Sequence, residues 1–403
     1  MSHFLQILIF LPVVGAIIGF VCKWVAIKML FHPRTWVGLG PIGWQGVVQR
    51  HAPKFSAGVA DTVATSGLTV DAMLERVAPD ELVTAIGPKL DEHGPELVEA
   101  VLEQARPGFW ATLPEPMRAL MVAQLGQENR RIARALVVAL RRVLRETFDV
   151  KSLVVKRLSG PNADRLAALM QHVAARELRI VIWYGAVLGF FIGLVEVAGY
   201  TALERWWLLP IIGAVDGLVN NWFAIQMIFR PYERTRYFWI FPYQGLFPAR
   251  QGEIASQYAE MLAKDVLSPG EILAHATELA GPRLVATAVA TVEAEVEPLL
   301  PMLSMALGAP LGPEERTRVV AAVMAKLTAL APSVQPHLER TLHERLGVAT
   351  SIEGALGVMT KAEFEKVLRG IFEEEEWILI ALGGFLGGLI GLGQAAIVLA
   401  FGS

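Results

Sequence analysis

The chain has 403 residues, 54% of them hydrophobic and 19% charged, with a net charge of −3. That balance departs from a soluble globular domain, and the lack of any block of Lys and Arg leaves nucleic-acid binding without its phosphate-neutralising contacts. A single cysteine, Cys22, excludes an intrachain disulfide framework.

Four apolar stretches are each long enough to cross a bilayer, which takes about 20 helical residues. The first, residues 4–22, has no Lys or Arg before it and Lys23, Lys28 and Arg34 after it. It therefore reads as an uncleaved anchor whose start faces outward. Residues 35–178 are polar and charge-mixed; apolar residues recur at three and four from Ile132 to Leu144, which predicts a string of helices. A second span over 180–200 follows Arg176 and Arg179, and a third over 206–223 precedes Arg230, Arg234 and Arg236. A second helical region, 231–376, shows the same spacing from Val319 to Leu330, and a last span, 377–401, follows Lys366 and Arg369. No sustained alternation marks a strand. Helix breaks are expected at Gly94-Pro95, Leu113-Pro114-Glu115-Pro116, Gly281-Pro282 and Gly312-Pro313.

The outer segments hold one basic residue, Arg205, so the positive-inside rule puts both helical regions in the cytoplasm. The acidic run Glu373–Glu376 opposes the trend but counts little in that rule.

The chain also says the same thing twice. Pro12, Gly15, Gly19 and Trp24-Val-Ala-Ile-Lys-Met-Leu-Phe31 return 198 positions later as Pro210, Gly213, Gly217 and Trp222-Phe-Ala-Ile-Gln-Met-Ile-Phe229. Gly189, Gly193, Leu194 and Glu196 return as Gly387, Gly391, Leu392 and Gln394. This predicts two repeats, 1–200 and 201–403, each with two spans around an inserted helical domain. An even number of spans per copy makes the repeats parallel, related by a pseudo-twofold axis along the membrane normal. The expected fold is all-α, an integral membrane protein of four transmembrane helices. Glycines at i, i+4 in every span (Gly15/Gly19, Gly189/Gly193, Gly213/Gly217, Gly387/Gly391) mark the stripes where helices approach closely in lipid.

Trp222-Phe-Ala-Ile-Gln-Met-Ile-Phe-Arg-Pro231, Tyr243-Gln-Gly-Leu-Phe-Pro-Ala-Arg250, and Glu177-Leu-Arg with the glycine-rich span through Glu196 resemble the DUF445 family of bacterial membrane proteins. The first half departs from the family pattern at Lys23, His32 and His51. The resemblance implies a bacterial cytoplasmic membrane location and high helical content.

Asp216 falls mid-span, where a charge costs about 2.5–3.5 kcal/mol on insertion scales. Asn220 lies one turn away on the same face and Asn221 follows; Glu196 and Lys23 sit in other spans. These five form either a polar path or the glue that sets helix register. Arg230, Arg234 and Arg236 alternate with aromatic residues including Trp239, and Arg250 follows; together they suit a headgroup layer, either as an ordinary interfacial belt or as a site for an anionic lipid. No metal or catalytic motif appears among the eight histidines and the lone cysteine, and no cofactor is expected. The leading expectation is a non-enzymatic, membrane-anchored scaffold or assembly protein that meets lipids, protein partners or a second copy of itself; the alternative is a carrier of lipid or another amphiphile.

Overall fold

A computed structural model describes residues 3–39, 42–203, 205–237, 241–369 and 376–402. The described residues are helical apart from turns and two short antiparallel hairpins. Among the described residues, five helices are long and apolar enough to cross a membrane: Leu8–Phe31, Gly160–Gly199, Leu208–Phe229, Pro313–Val358 and Glu376–Leu399. The Pro313–Val358 stretch falls inside the second helical region expected from sequence.

Contacts divide the chain into two compact units, and each takes residues from both halves of the sequence. The first comprises Met1–Ser66, Val154–Asp265 and Ile352–Ser403; the second comprises Gly67–Leu153 and Val266–Ser351.

The first unit contains α1 (His3–Phe31), α2 (Ala163–Leu203), α3 (Leu208–Phe229) and α4 (Glu376–Gly402). α1 lies along α2 and α3 along α4, while α2 also meets α3 and α1 meets α4. Glycine makes these approaches possible. A Cβ on Gly19 would collide with the Gly185 carbonyl, and one on Gly217 with the Gly383 carbonyl, 198 residues further along in each case. With the side chains gone from these stripes, backbone meets backbone and dispersion replaces the hydrophobic drive that lipid cannot supply.

The helices extend beyond the expected spans. α1 runs to Phe31, beyond residue 22, and α2 begins at Ala163, well before residue 180. Neither Lys23 nor the Arg176–Arg179 cluster breaks a helix, since Arg and Lys are good helix formers. At 41 residues α2 is about 61 Å long, roughly twice the thickness of a hydrocarbon core.

α1 ends where Pro33 follows a cis peptide bond, and α3 where Pro231 does the same. Some of the carbonyls left over by each last turn are satisfied from the hairpin that follows or the residues just beyond it. After α1, strands β1 (Val37–Leu39) and β2 (Ile42–Trp44) return the chain so that Trp44 Nε1 donates to Met29 O at 3.2 Å and Gln49 Nε2 to Phe31 O at 2.8 Å. After α3, strands β3 (Thr235–Tyr237) and β4 (Phe241–Tyr243) bring the Tyr243 hydroxyl onto Met227 O and Gln244 Nε2 onto Tyr232 O at 2.7 Å. The hairpins were not expected from sequence, because three residues are too few to show a period of two.

In the second unit, helices Pro79–Ala105, Glu115–Thr147, Pro269–Val296 and Pro313–Leu346 enclose a core that includes Val98, Leu102, Ile132, Val292, Leu303 and Val319. Two of the expected breaks fall at helix starts, Pro114-Glu115-Pro116 and Gly312-Pro313, but Pro95 and Pro282 sit inside continuous helices. An interior proline costs about 3 kcal/mol; around Pro95 it is outweighed by the buried face of Leu90, Gly94, Leu97 and Val98.

Candidate intramembrane polar site

The helices α1 to α4 are inverted relative to a soluble bundle. Ile17, Trp183, Val187, Phe191, Val195, Val215, Val219, Phe385 and Leu389 are all more than half exposed, whereas Lys23, Glu196, Asn220, Asn221 and Gln394 are buried. Apolar outside and polar inside is the arrangement that a hydrocarbon solvent selects.

The buried polar residues meet in two groups. Lys23 Nζ on α1 donates to Asn221 Oδ1 on α3, and Asn221 Nδ2 donates to Leu379 O on α4 at 2.6 Å. Glu196 on α2 accepts from Gln394 Nε2 on α4 at 3.0 Å. Both side-chain pairs join residues 198 apart in sequence. Asp216 lies within electrostatic reach of Lys23 and Glu196 and is half-buried. Its Oδ1 and the Asn220 Oδ1 are buried with no hydrogen-bond partner among the described residues. Of the five intramembrane residues expected to act together, Lys23 and Asn221 bond directly, Asp216 and Glu196 are coupled at longer range, and Asn220 stays apart. Gln394, absent from that set, proved to be the partner of Glu196; its place 198 positions after Glu196, opposite it in the expected repeat, was the available signal.

The arginines divide into structural and exposed members. Arg250, predicted at the lipid interface, is largely buried and pairs with Glu177, itself 1% exposed, and with Glu253. Its guanidinium holds Glu253 below the usual carboxylate range. Arg230 is half exposed, lies over the Tyr232 ring and sits 3.7 Å from buried Glu365. Tyr232 also donates to Glu365, and that bond, ahead of burial, raises the ionisation of its phenol. Arg234 and Arg236 are exposed. Trp239 lies outside the described residues. Glu365 was missed by sequence reasoning and Glu177 entered only as part of a family-like motif, without a role, since nothing local distinguishes a buried acid from a solvated one.

Comparison with known proteins points the same way for part of the chain. A UPF0754 membrane protein of Synechococcus elongatus is 38% identical over 69 residues, 17% of this chain and 17% of that protein. One from Synechococcus sp. (strain JA-3-3Ab) is 40% identical over 65 residues, 16% of each chain. The chain thus matches about a sixth of the length of these curated relatives. No family model matches, and no solved structure matches.

Proposed function

We propose that this membrane protein is a non-enzymatic anchor and scaffold built from two fused parallel repeats of the DUF445 type, crossing the bacterial cytoplasmic membrane four times with its helical insertions in the cytoplasm. One observation carries the reading. Two side chains at equivalent positions of a repeat can touch each other only at the axis that relates the copies, and Lys23 with Asn221 and Glu196 with Gln394 both do so. The first pair is toward the C-terminal end of α1 and the second toward the C-terminal end of α2, which supports an axis running along the helices and hence along the membrane normal. The buried polar groups are then spent largely on joining the copies. That favours glue over an ion path.

The fifth apolar helix is read as soluble. Pro313–Leu346 buries Val319, Ala322, Val323, Leu330 and Val334 and exposes Glu314, Arg316, Arg318, Arg340 and Glu344, the reverse of α1 to α4. Reporter fusions at His93, Ala202 and Leu338 should give inside, outside, inside; any other order removes the topology. For the scaffold role, a photo-crosslinker at Met305, which is 81% exposed, should trap one discrete protein product in intact cells. A product no different from that of a crosslinker placed on lipid-facing Phe385 refutes it.

A further inference from the structure

An apolar cavity of about 90 Å³ lies in the first unit, beside the ends of α1 and α3 that precede Arg34 and Arg230. Phe31, Ile228 and Phe229 form one side of it, and the stretch of α2 from Leu169 to Leu178 forms another, about 14 Å of helix. For comparison, a cavity of about 150 Å³ with such a lining stays dry and takes a benzene-sized hydrocarbon. The present one suits a run of a few methylenes lying against α2.

Tyr258 also lines the cavity. It is 4% exposed, and its hydroxyl has no hydrogen-bond partner among the described residues; burial alone pushes its ionisation up. The hydroxyl of this buried ring has a bond left to donate, and an occupant that brings an acceptor makes it. Glu376 on the wall disfavours an anion within the cavity, while Arg230, half exposed, leaves α3 directly after Phe229.

We propose, resting on the membrane placement above, that this cavity holds part of one acyl chain of an anionic phospholipid drawn from the bordering leaflet, its ester carbonyl accepting from Tyr258 Oη and its phosphate outside, toward Arg230. The apolar wall selects the chain, the orphaned donor selects an ester, and the guanidinium selects the charge. A free phosphate would lack the first contact and a plain alkane the other two.

The test uses the full chain, purified in mild detergent and examined by native mass spectrometry with added phosphatidylglycerol or phosphatidylcholine. Wild type should retain one phosphatidylglycerol per chain in preference to phosphatidylcholine. Tyr258→Phe should weaken retention about fivefold to tenfold, the loss of one hydrogen bond, while its thermal stability holds, because the hydroxyl bonds nothing in the protein. Ala174→Trp, which fills the cavity, should abolish retention. Equal retention by wild type and a Tyr258→Phe protein of unchanged stability overturns the proposal, as does equal binding of phosphatidylcholine or recovery of a free fatty acid in place of the diacyl lipid. If retention fails while the reporter fusions read inside, outside, inside, the cavity assignment alone is lost; a different reporter order removes the membrane reading beneath it.

Discussion

Exchanging Lys23 and Asn221 tests the axis directly. Asn221→Lys alone sets two ammonium groups against each other; at about 4 Å and an effective dielectric near 20 their repulsion is about 4 kcal/mol, and the bond to Leu379 O is lost as well. We expect a loss of roughly 5 kcal/mol. Asn221→Leu leaves Lys23, 3% exposed, without its acceptor and should cost about 2–3 kcal/mol, the range for hydrogen bonds to a charged group. Adding Lys23→Asn to Asn221→Lys rebuilds the pair with its members swapped across the axis. If that axis relates the two backbones, the double variant should return to within about 1 kcal/mol of wild type, a coupling well above the roughly 0.6 kcal/mol usual between membrane helices. The remainder would report Asp216, whose equivalent position holds Ile18. Unfolding in mixed micelles, followed through Trp24 and Trp222, measures all four proteins. A double variant as unstable as Asn221→Lys refutes the reasoning.

The close helix contacts predict that Gly217→Leu prevents recovery of folded protein from membranes, whereas Gly58→Ala, with nothing within 4 Å of the new Cβ, gains up to about 1 kcal/mol; equal yields in a solubilisation assay contradict this. Arg250→Met should cost about 3–5 kcal/mol by stranding buried Glu177, and Arg250→Met with Glu177→Leu should recover most of it; thermal denaturation decides. Because Arg250 lowers the Glu253 ionisation, the unfolded chain takes up that proton first as pH falls. Its contribution is full above the ordinary carboxylate value of about 4.3 and fades below it, so Glu253→Gln should flatten the acid limb of a stability profile; an unchanged limb removes that link.

Much of this geometry was legible in the residue order, and what was not has physical causes. The glycine stripes could be placed because lipid-embedded packing depends on side-chain size at one spacing, a local property. The hairpins could not, being shorter than any period they might display. Pro95 and Pro282 misled because a break is a local cost that distant packing overrides. Among site residues, Asp216 stood out because a charge in an apolar run is conspicuous, while Glu365 and Tyr258 gave no signal and Glu177 showed only as part of a motif, its burial unseen: an acid or phenol in a polar region is marked as buried only by what folds over it. Arg250 looked like an interfacial arginine for the same reason, and its burial against Glu177 emerges from tertiary contact alone.

The proposed fusion would account for the chemistry of the two pairs. In a symmetric dimer of separate chains, a residue on the twofold axis faces its own copy, so Lys23 would face lysine and Glu196 would face glutamate, each an unscreened like-charge contact in a medium where even one charge is costly. Asn facing Asn or Gln facing Gln would be acceptable, since an amide both donates and accepts. Under the proposed duplication, joining the copies in one polypeptide lets each half change alone, and in both pairs one side carries a charge while the other keeps an amide. The charges are of opposite sign and fall in the same half of the sequence, while Asp216, the third, belongs to the other half and lies within reach of both. A bundle that began as a symmetric seam would in this way carry a charge at each of two levels without setting like charges against each other, which two identical chains with those residues on the axis could not do.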